Sequence, residues 1–285
     1  MCSEYCSPEL RFVCLNRPQL GCIRALACAR LGGGIKSRKT KKQTLAAVGT
    51  STTLSKSRMF VGHYSVAFAV KSERNRIPLW VLFVAVQFLD YIWATLVLVG
   101  IEKLRVIKGF TAGSMLDSYY HPYSHSLIAA FLWSTVAAIG YKPFCSWLGY
   151  SYRKSAALIV GVAVFSHWIL DLVVHPRDLP IYDNTLKVGF GLWNYRDPEF
   201  ALEIALLAGG IMLYVARNVL SATRKTAVIA FGVALVAVQI GDTFVPRTPL
   251  SDKATAMGVW IFYTLFVVIA FFLENARSRR KIDSP

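Results

Sequence analysis

The sequence is poor in charge and poor in histidine, and nearly all of its cysteine lies in one short segment. Charged residues make up 17% of the chain, against about 25% in typical soluble domains, and hydrophobic residues make up 55%. This balance is too apolar for an ordinary soluble domain and predicts a membrane protein. The chain shows no internal repeat, which weighs against a transporter built from inverted repeats.

Cysteine is nearly confined to the first 28 residues, where five of the six cysteines lie; the sixth is Cys145. The spacing matches no zinc or redox motif, and no histidine accompanies it. Residues 1–58 also hold 11 Lys or Arg and only two acids. We interpret residues 1–58 as a disordered or non-native extension in preference to a nucleic-acid or lipid-binding segment. Met59 is then an alternative start, residues 59–285 form the functional domain, and no nucleic-acid partner is expected.

Six apolar stretches are long enough to cross a hydrocarbon core of about 30 Å. A seventh stretch, Met59–Val70, is apolar but too short to cross, and it predicts a half-helix. The sequence therefore predicts an all-α, polytopic membrane helix bundle of about six transmembrane helices plus a short N-terminal half-helix. The predicted spans are Leu79–Gly100, Ser124–Tyr141, Ser155–Val174, Phe200–Ala216, Thr226–Phe244 and Ala254–Leu273.

Basic residues cluster in every second connection between these spans. Such clusters favour the cytoplasmic side of a membrane, so both termini are predicted to be cytoplasmic. Loops 101–123, 175–199 and 245–253 are then outside. The clusters are Lys71, Arg74 and Arg76; Lys142, Arg153 and Lys154; Arg217, Arg224 and Lys225; and Arg277, Arg279, Arg280 and Lys281.

All five histidines of the chain lie between residues 63 and 175. His167 and Asp171 are four residues apart, which puts them on one helical face. His175 precedes Pro176, and a residue before proline disfavours helical backbone, so the helix is expected to end there and His175 to fold back over the site. Each histidine lies beside other polar residues at membrane depth or at the end of a span.

The pair His121 and His125 surrounds Pro122, which suits the first turn of a helix. His121 is then extended just before the helix, and His125 points from its first turn, so the two side chains approach from different directions. Ser124 is expected to cap this helix. Both histidines fall at the same end of the bundle as Asp171 and His175.

Asp90 lies in the middle of the first predicted span, where a carboxylate is costly unless it faces a cavity and has a partner. Imidazole and carboxylate are ligands of zinc and similar divalent ions. We therefore predict a buried divalent metal site, with zinc favoured, in which Asp90 and His175 complete the shell or move protons. The predicted ligands are His63, His121, His125, His167 and Asp171. A proton relay, an ion path and a purely structural network are the alternatives.

The other polar residues receive simpler interpretations. Asp117 and Asp178 are predicted to be solvated loop acids, and Trp193 is predicted to be an interfacial anchor. Glu203 either pairs with the site or faces water near the surface.

The segments that contain His63, Asp90, the pair His121 and His125, and the pair His167 and Asp171 resemble a known family. It is the membrane-bound, metal-dependent hydrolase family that includes LexA-regulated bacterial inner-membrane proteins. The resemblance covers about residues 59–180. The family often carries Asp-x-Asp-His where this chain has Asp90 followed by Tyr91, and this chain continues with three further spans. The matching elements are Gly62-His63, Asp90, His121-Pro-Tyr-Ser-His125-Ser126 and His167-Trp-Ile-Leu-Asp171.

The resemblance implies a bacterial inner-membrane hydrolase of lipid-like or other membrane-accessible esters or phosphoesters. Membrane lipids are then the expected partners, and the sequence carries no signal for an oligomeric state. The alternative function is a cation- or proton-coupled transporter that uses the same His/Asp cluster.

Overall fold

The computed structural model describes residues 61–245 and 248–275. The predicted extension over residues 1–58 and the start at Met59 lie outside the described residues. The described residues all belong to one compact unit.

The described part of the chain is mainly helical, which confirms the predicted all-α class. A two-stranded antiparallel hairpin, β1 and β2, is an addition that the sequence did not predict. The elements in chain order are α1 His63–Val70, α2 Leu79–Val86, α3 Phe88–Leu98, β1 Lys103–Val106, β2 Leu116–Tyr120, α4 Pro122–His125, α5 Leu127–Leu148, α6 Lys154–Val174, a 3-10 helix Leu192–Asn194, α7 Arg196–Arg217, α8 Ala222–Phe244 and α9 Asp252–Asn275.

Helices α5 to α9 are each long and apolar enough to cross a membrane. Helices α2 and α3 pass the same test only as a pair, and the pair is bent by 54°. The described residues thus hold five candidate spans, or up to six if the bent pair counts as one, in line with the six predicted stretches. This pattern is compatible with an integral membrane protein.

The bend between α2 and α3 lies at Gln87, inside the first predicted span. Gln87 has φ −111° and ψ 11°, outside the helical range. Its N–H bonds to the carbonyl of Val84, three residues back. Neither proline nor glycine lies there, so the sequence carried no signal for the break. The break places Asp90 in the first turn of a new helix, where the helix dipole favours a carboxylate.

Helix α1 is the predicted half-helix, and it lies inside the bundle. Its residues His63, Tyr64 and Phe68 are buried, and the ring of Tyr64 stacks on Phe83 of α2 with a centroid distance of 4.6 Å. On its other side α1 packs directly on α7 at Gly210. A Cβ atom added at Gly210 would lie only 2.7 Å from the Cα atom of Ser65. The glycine therefore permits the close approach that buries α1.

The cap of α5 is Ser126, whose hydroxyl accepts a hydrogen bond from the N–H of Ala129 at 3.1 Å. The prediction that Ser124 caps this helix is wrong, because the Ser124 hydroxyl is used by Glu102 and His125. The helix also runs to Leu148, beyond the predicted end at Tyr141.

The hairpin and the loop between α6 and α7 lie against each other at one end of the bundle. The N–H of Gly113 donates to the carbonyl of Trp193 at 2.6 Å. Asp117 of β2 is buried and pairs with Arg105 at 2.7 Å, so the prediction of a solvated Asp117 is wrong. These connections close the end of the bundle where α3 ends and α6 ends.

Candidate metal centre

Four helices bring the polar residues of the site together inside the bundle. Helix α1 contributes His63, α3 contributes Asp90, α4 contributes His125, and α6 contributes His167 and Asp171. The three histidines and Asp171 are buried, and the side chain of Asp90 is 21% exposed. Four separate elements therefore converge on one small volume, although the residues span more than a hundred positions of the sequence.

Four nitrogen–oxygen separations in the cluster match the spacing of ligand atoms around one metal ion. Metal–ligand bonds of about 2.1 Å place tetrahedral ligand atoms about 3.4 Å apart. Asp90 Oδ1 lies 3.3 Å from His125 Nε2 and 3.6 Å from His167 Nε2. Asp171 Oδ2 lies 3.5 Å from His125 Nε2 and 3.2 Å from His167 Nε2. Each of these four histidine–aspartate separations is therefore close to the value that one shared ion requires.

The second oxygen of Asp171 faces His63, with Oδ1 at 3.4 Å from His63 Nε2. His63, His167 and Asp171 form one group whose ligand atoms all lie within 4.8 Å of one another, and Asp90, His125 and His167 form another. His167 belongs to both groups. These buried His and Asp residues could hold a metal ion.

The charge of the site also favours a cation. Asp90 and Asp171 together carry two negative charges when ionised, and buried charge is costly unless it is balanced. Neither Asp171 Oδ2 nor His167 Nε2 has a hydrogen-bond partner within the described residues, although they lie 3.2 Å apart. One divalent cation between them would balance both carboxylates and engage both atoms.

The ring of His167 is oriented by the backbone of α2. His167 Nδ1 lies 2.7 Å from the carbonyl oxygen of Val86, which accepts its hydrogen bond. The proton is thereby placed on Nδ1, and the lone pair of Nε2 faces Asp90 and Asp171. A histidine that binds a metal commonly donates its other ring N–H in this way. The carbonyl of Val86 lies directly before the break at Gln87, so the bend supplies this acceptor.

His125 is oriented by a relay that ends in a buried carboxylate. His125 Nδ1 lies 2.7 Å from the Ser124 hydroxyl, which in turn donates to Glu102 Oε2 at 2.6 Å. The backbone N–H groups of Tyr123 and Ser124 also donate to Glu102, at 2.8 and 2.9 Å. Burial raises the pKa of Glu102, and these donors act against that rise. His125 Nε2 is left facing the two aspartates.

His175 ends α6 as predicted, in extended backbone with ψ 141°. Its Nδ1 lies 3.0 Å from Asp178 Oδ1, while its Nε2 lies 3.9 Å from Asp171 Oδ1. Burial lowers the pKa of His175, but the carboxylates of Asp178 and Asp171 outweigh it and raise the pKa above its ordinary value. Asp178 is therefore buried and paired, and the prediction of a solvated Asp178 is wrong.

The loop over the site holds His175 from the other side. The indole ring of Trp193 contacts the ring of His175 with a centroid distance of 4.1 Å. The N–H of Gly191 donates to the carbonyl of His175 at 2.7 Å. Trp193 is buried, so it covers the site, and the prediction of an interfacial anchor is wrong.

His121 lies beside the cluster but outside both ligand groups. Its ring centroid is 5.6 Å from that of His125 and 6.4 Å from that of His175. His121 is 1% exposed, and neither ring nitrogen has a hydrogen-bond partner within the described residues. Burial, followed by the neighbouring His125 and His175, lowers the pKa of His121 well below its ordinary value.

The structure brings together His63, His125, His167, Asp171 and Asp90, and it places His175 beside them. Glu102 and Asp178 are site residues that the sequence reading did not assign. The sequence carried little indication of either residue's role, because no recognisable motif surrounds Glu102 after the first span or Asp178 after His175. Glu203 is buried in α7 and contacts Glu199 and the backbone of Val61.

Comparisons of the chain with protein-family models, with curated proteins and with solved structures found no match. The resemblance to membrane-bound metal-dependent hydrolases therefore stays a prediction.

Proposed function

We propose that this protein is a membrane-embedded, metal-dependent hydrolase of a lipid-like ester or phosphoester. The observation that carries the proposal is a pair of His/Asp groups, each with its ligand atoms within 4.8 Å of one another, inside a bundle of apolar helices. The groups are His63, His167 and Asp171, and Asp90, His125 and His167. Zinc is the proposed ion, because imidazole nitrogen and carboxylate oxygen are ligands that suit it. A divalent ion in such a site supplies Lewis acidity and lowers the pKa of water toward neutrality.

The protein's own groups orient the ligands and manage the proton. Tyr263 donates its hydroxyl to Asp90 Oδ2 at 2.7 Å, which leaves Oδ1 facing His125 and His167. In ester hydrolysis a water oxygen bonds to the acyl carbon, the alcohol leaves, and one proton passes from the water to the alcohol oxygen. We assign the proton transfer to His121 or His175, whose rings border the cluster on the loop side.

The membrane setting supports a lipid-like substrate. Of the helices that carry the site, α6 is long and apolar enough to cross a bilayer, and α3 is so together with α2. The basic clusters of the sequence support a placement with both termini in the cytoplasm and the site in the outer half of the membrane. A bacterial inner membrane is the location that the resemblance implies.

Hydrolysis in vesicles tests this proposal. The full chain would be reconstituted in vesicles of phosphatidylethanolamine and phosphatidylglycerol, and released products would be identified by mass spectrometry. We expect turnover that stops after chelation, returns on addition of zinc, and is absent in His167→Ala. Asp197→Asn is the control, because Asp197 is 73% exposed on α7. Turnover that survives both chelation and His167→Ala would contradict the proposal.

A proton path is the second candidate, and one observation favours it. His63, Asp171, His175 and Asp178 form a chain of titratable groups from α1 to the outer loop, with successive separations of 3.4, 3.9 and 3.0 Å. Proton-coupled flux in liposomes that is abolished by Asp90→Asn, with no hydrolysis, would favour transport.

A further inference from the structure

An apolar groove runs along the outside of the bundle between α2–α3 and α9. Its volume is about 620 Å³, within the range of about 300–1,000 Å³ that is usual for sites of small ligands, and Trp133 of α5 and Tyr123 of α4 lie at one side of it. The groove lies on helices that are candidate spans. It therefore opens to the hydrocarbon region if the bundle crosses a membrane.

The polar groups on the walls of the groove bond to one another or to backbone. Trp260 Nε1 donates to Thr95 Oγ1 at 3.0 Å, and the hydroxyls of Tyr91 and Thr264 lie 3.4 Å apart. Trp133 Nε1 donates to the backbone carbonyl of Tyr123 at 2.8 Å. These groups have little left to offer a polar ligand, so the groove selects an apolar one.

The wall of the groove is continuous with the candidate metal centre. Tyr91 lines the groove and directly follows Asp90 in α3. Its ring contacts Tyr263, the residue that donates to Asp90, with a centroid distance of 5.9 Å. Tyr123 also lines the groove, and its N–H donates to Glu102, which orients His125 through Ser124. Residues that line the groove thus reach the cluster by two routes. Tyr91 is adjacent to Asp90, and Tyr123 is linked to His125 through Glu102 and Ser124.

The size of the groove distinguishes between possible apolar occupants. A helix with its side chains is about 10–12 Å wide, so a single turn of 5.4 Å occupies roughly 400–600 Å³. A transmembrane helix of about 30 Å would occupy several times the volume of the groove, so a thinner occupant fits it better. An extended acyl chain is far thinner and follows an open groove over its whole length.

We propose that this groove binds one acyl chain of a bilayer phospholipid and brings its ester or phosphoester linkage to the candidate metal centre. The inference rests on the proposed function and names its substrate class. Because the surrounding lipid is as apolar as the groove, the groove gains little from the hydrophobic effect. Its contribution is to fix the position of the chain, and hence of the linkage next to Asp90.

Photolabelling in vesicles tests the groove directly. The full chain would be placed in phosphatidylcholine vesicles with a trace of phosphatidylcholine that carries a diazirine on one acyl chain, and labelled peptides would be mapped. We expect labelling of residues 84–96 and 260–267 to exceed that of the exposed face of α8. Ile92→Trp fills the groove and should lower labelling there at least fivefold. Ile229→Trp, on α8 at a position 53% exposed, is the matched control and should leave it unchanged.

Several outcomes would overturn the groove proposal. One such outcome is labelling of the groove that is no greater than labelling of α8. Another is groove labelling that remains unchanged in both Ile92→Trp and Val267→Phe. Crosslinks between two copies through the groove would assign it to an oligomer interface instead. Thermal unfolding in detergent is measured on the same variants, so a variant that fails to fold is recognised. If the groove is strongly labelled but the protein hydrolyses no lipid, the acyl-chain site is supported and only the proposed hydrolase function is contradicted.

Discussion

At the scale of single residues, the site is defined by which nitrogen of each imidazole faces inward. His167, His125 and His175 each direct Nδ1 to an acceptor outside the cluster and Nε2 to the aspartates. The three acceptors differ: a backbone carbonyl, a serine that is bonded to a glutamate, and an aspartate. Because each acceptor fixes a ring tautomer, these residues set how basic and how well aligned the Nε2 atoms are.

Replacement of Glu102 by Gln should weaken metal binding without removing a ligand. The amide would donate to the Ser124 hydroxyl, which would then donate to His125 Nδ1 and move the ring proton to Nε2, the atom that faces the aspartates. Affinity for zinc, measured by competition with a chelator of known affinity, should fall about 10–100-fold. Glu73→Gln is the control, because Glu73 is exposed. Equal affinity in the two variants would show that the relay does not control His125.

At the scale of elements, two features bring the site together: the break between α2 and α3, and the contact of α1 with α7. The break supplies the Val86 carbonyl to His167 and puts Asp90 at the start of α3. The contact buries α1, and with it His63, against the middle of the bundle. Both features are local departures from simple antiparallel helix packing, and both serve the site.

Two neighbouring glycines of α7 provide a matched test of the α1 contact. In Gly210→Ala the new Cβ would lie 2.7 Å from Ser65 Cα, so α1 must shift, whereas at Gly209 it would meet nothing within 4 Å. We expect Gly210→Ala to cost about 1–3 kcal/mol of stability and to lower zinc affinity through the displacement of His63. Gly209→Ala should be neutral or stabilising by up to about 1 kcal/mol.

Thermal unfolding in detergent and chelator competition would measure the two effects. If Gly210→Ala behaved like Gly209→Ala in both, the close approach of α1 and α7 would not be what positions His63.

The sequence predicted the helical class, the apolar spans and the convergence of the histidines, because hydrophobic length and the i,i+4 spacing of His167 and Asp171 are local signals. It did not predict the break at Gln87, where no proline or glycine marks it. Nor did it predict that Asp178, Glu102 and Trp193 belong to the site, since their contacts come from the way the loops fold over the ends of helices. Asp90 was predicted either to complete the metal shell or to move protons, and the structure places its carboxylate within 4.8 Å of ligand atoms of His125 and His167.

At the scale of the whole molecule, the account requires that the bundle cross a membrane with the site near the outer side. The loops that cover His175 and carry the hairpin then lie outside, and the short α5–α6 and α7–α8 connections lie inside. The charge pattern of the sequence agrees with this arrangement, since Arg153 and Lys154, and Arg224 and Lys225, lie at those short connections. Under the groove proposal, a lipid would approach the cluster from the bilayer along the groove between α2–α3 and α9.

A pair of tyrosine substitutions tests the orientation. Tyr182 in the α6–α7 loop is 65% exposed, and Tyr152 in the α5–α6 loop is 38% exposed. In a background without the six native cysteines, Tyr182→Cys should react with a membrane-impermeant maleimide on intact cells. Tyr152→Cys should react only after permeabilisation. The reverse pattern, or equal reaction of both before permeabilisation, would contradict the proposed orientation.

The metal content of the purified full chain tests the central claim most directly. Elemental analysis should find a divalent transition metal, zinc by our proposal, retained by the wild-type protein and by Asp197→Asn. His167→Ala should lose most of it, because His167 belongs to both ligand groups. No bound metal in the wild-type protein, or equal metal in His167→Ala, would contradict the account and leave the cluster as a hydrogen-bonded network.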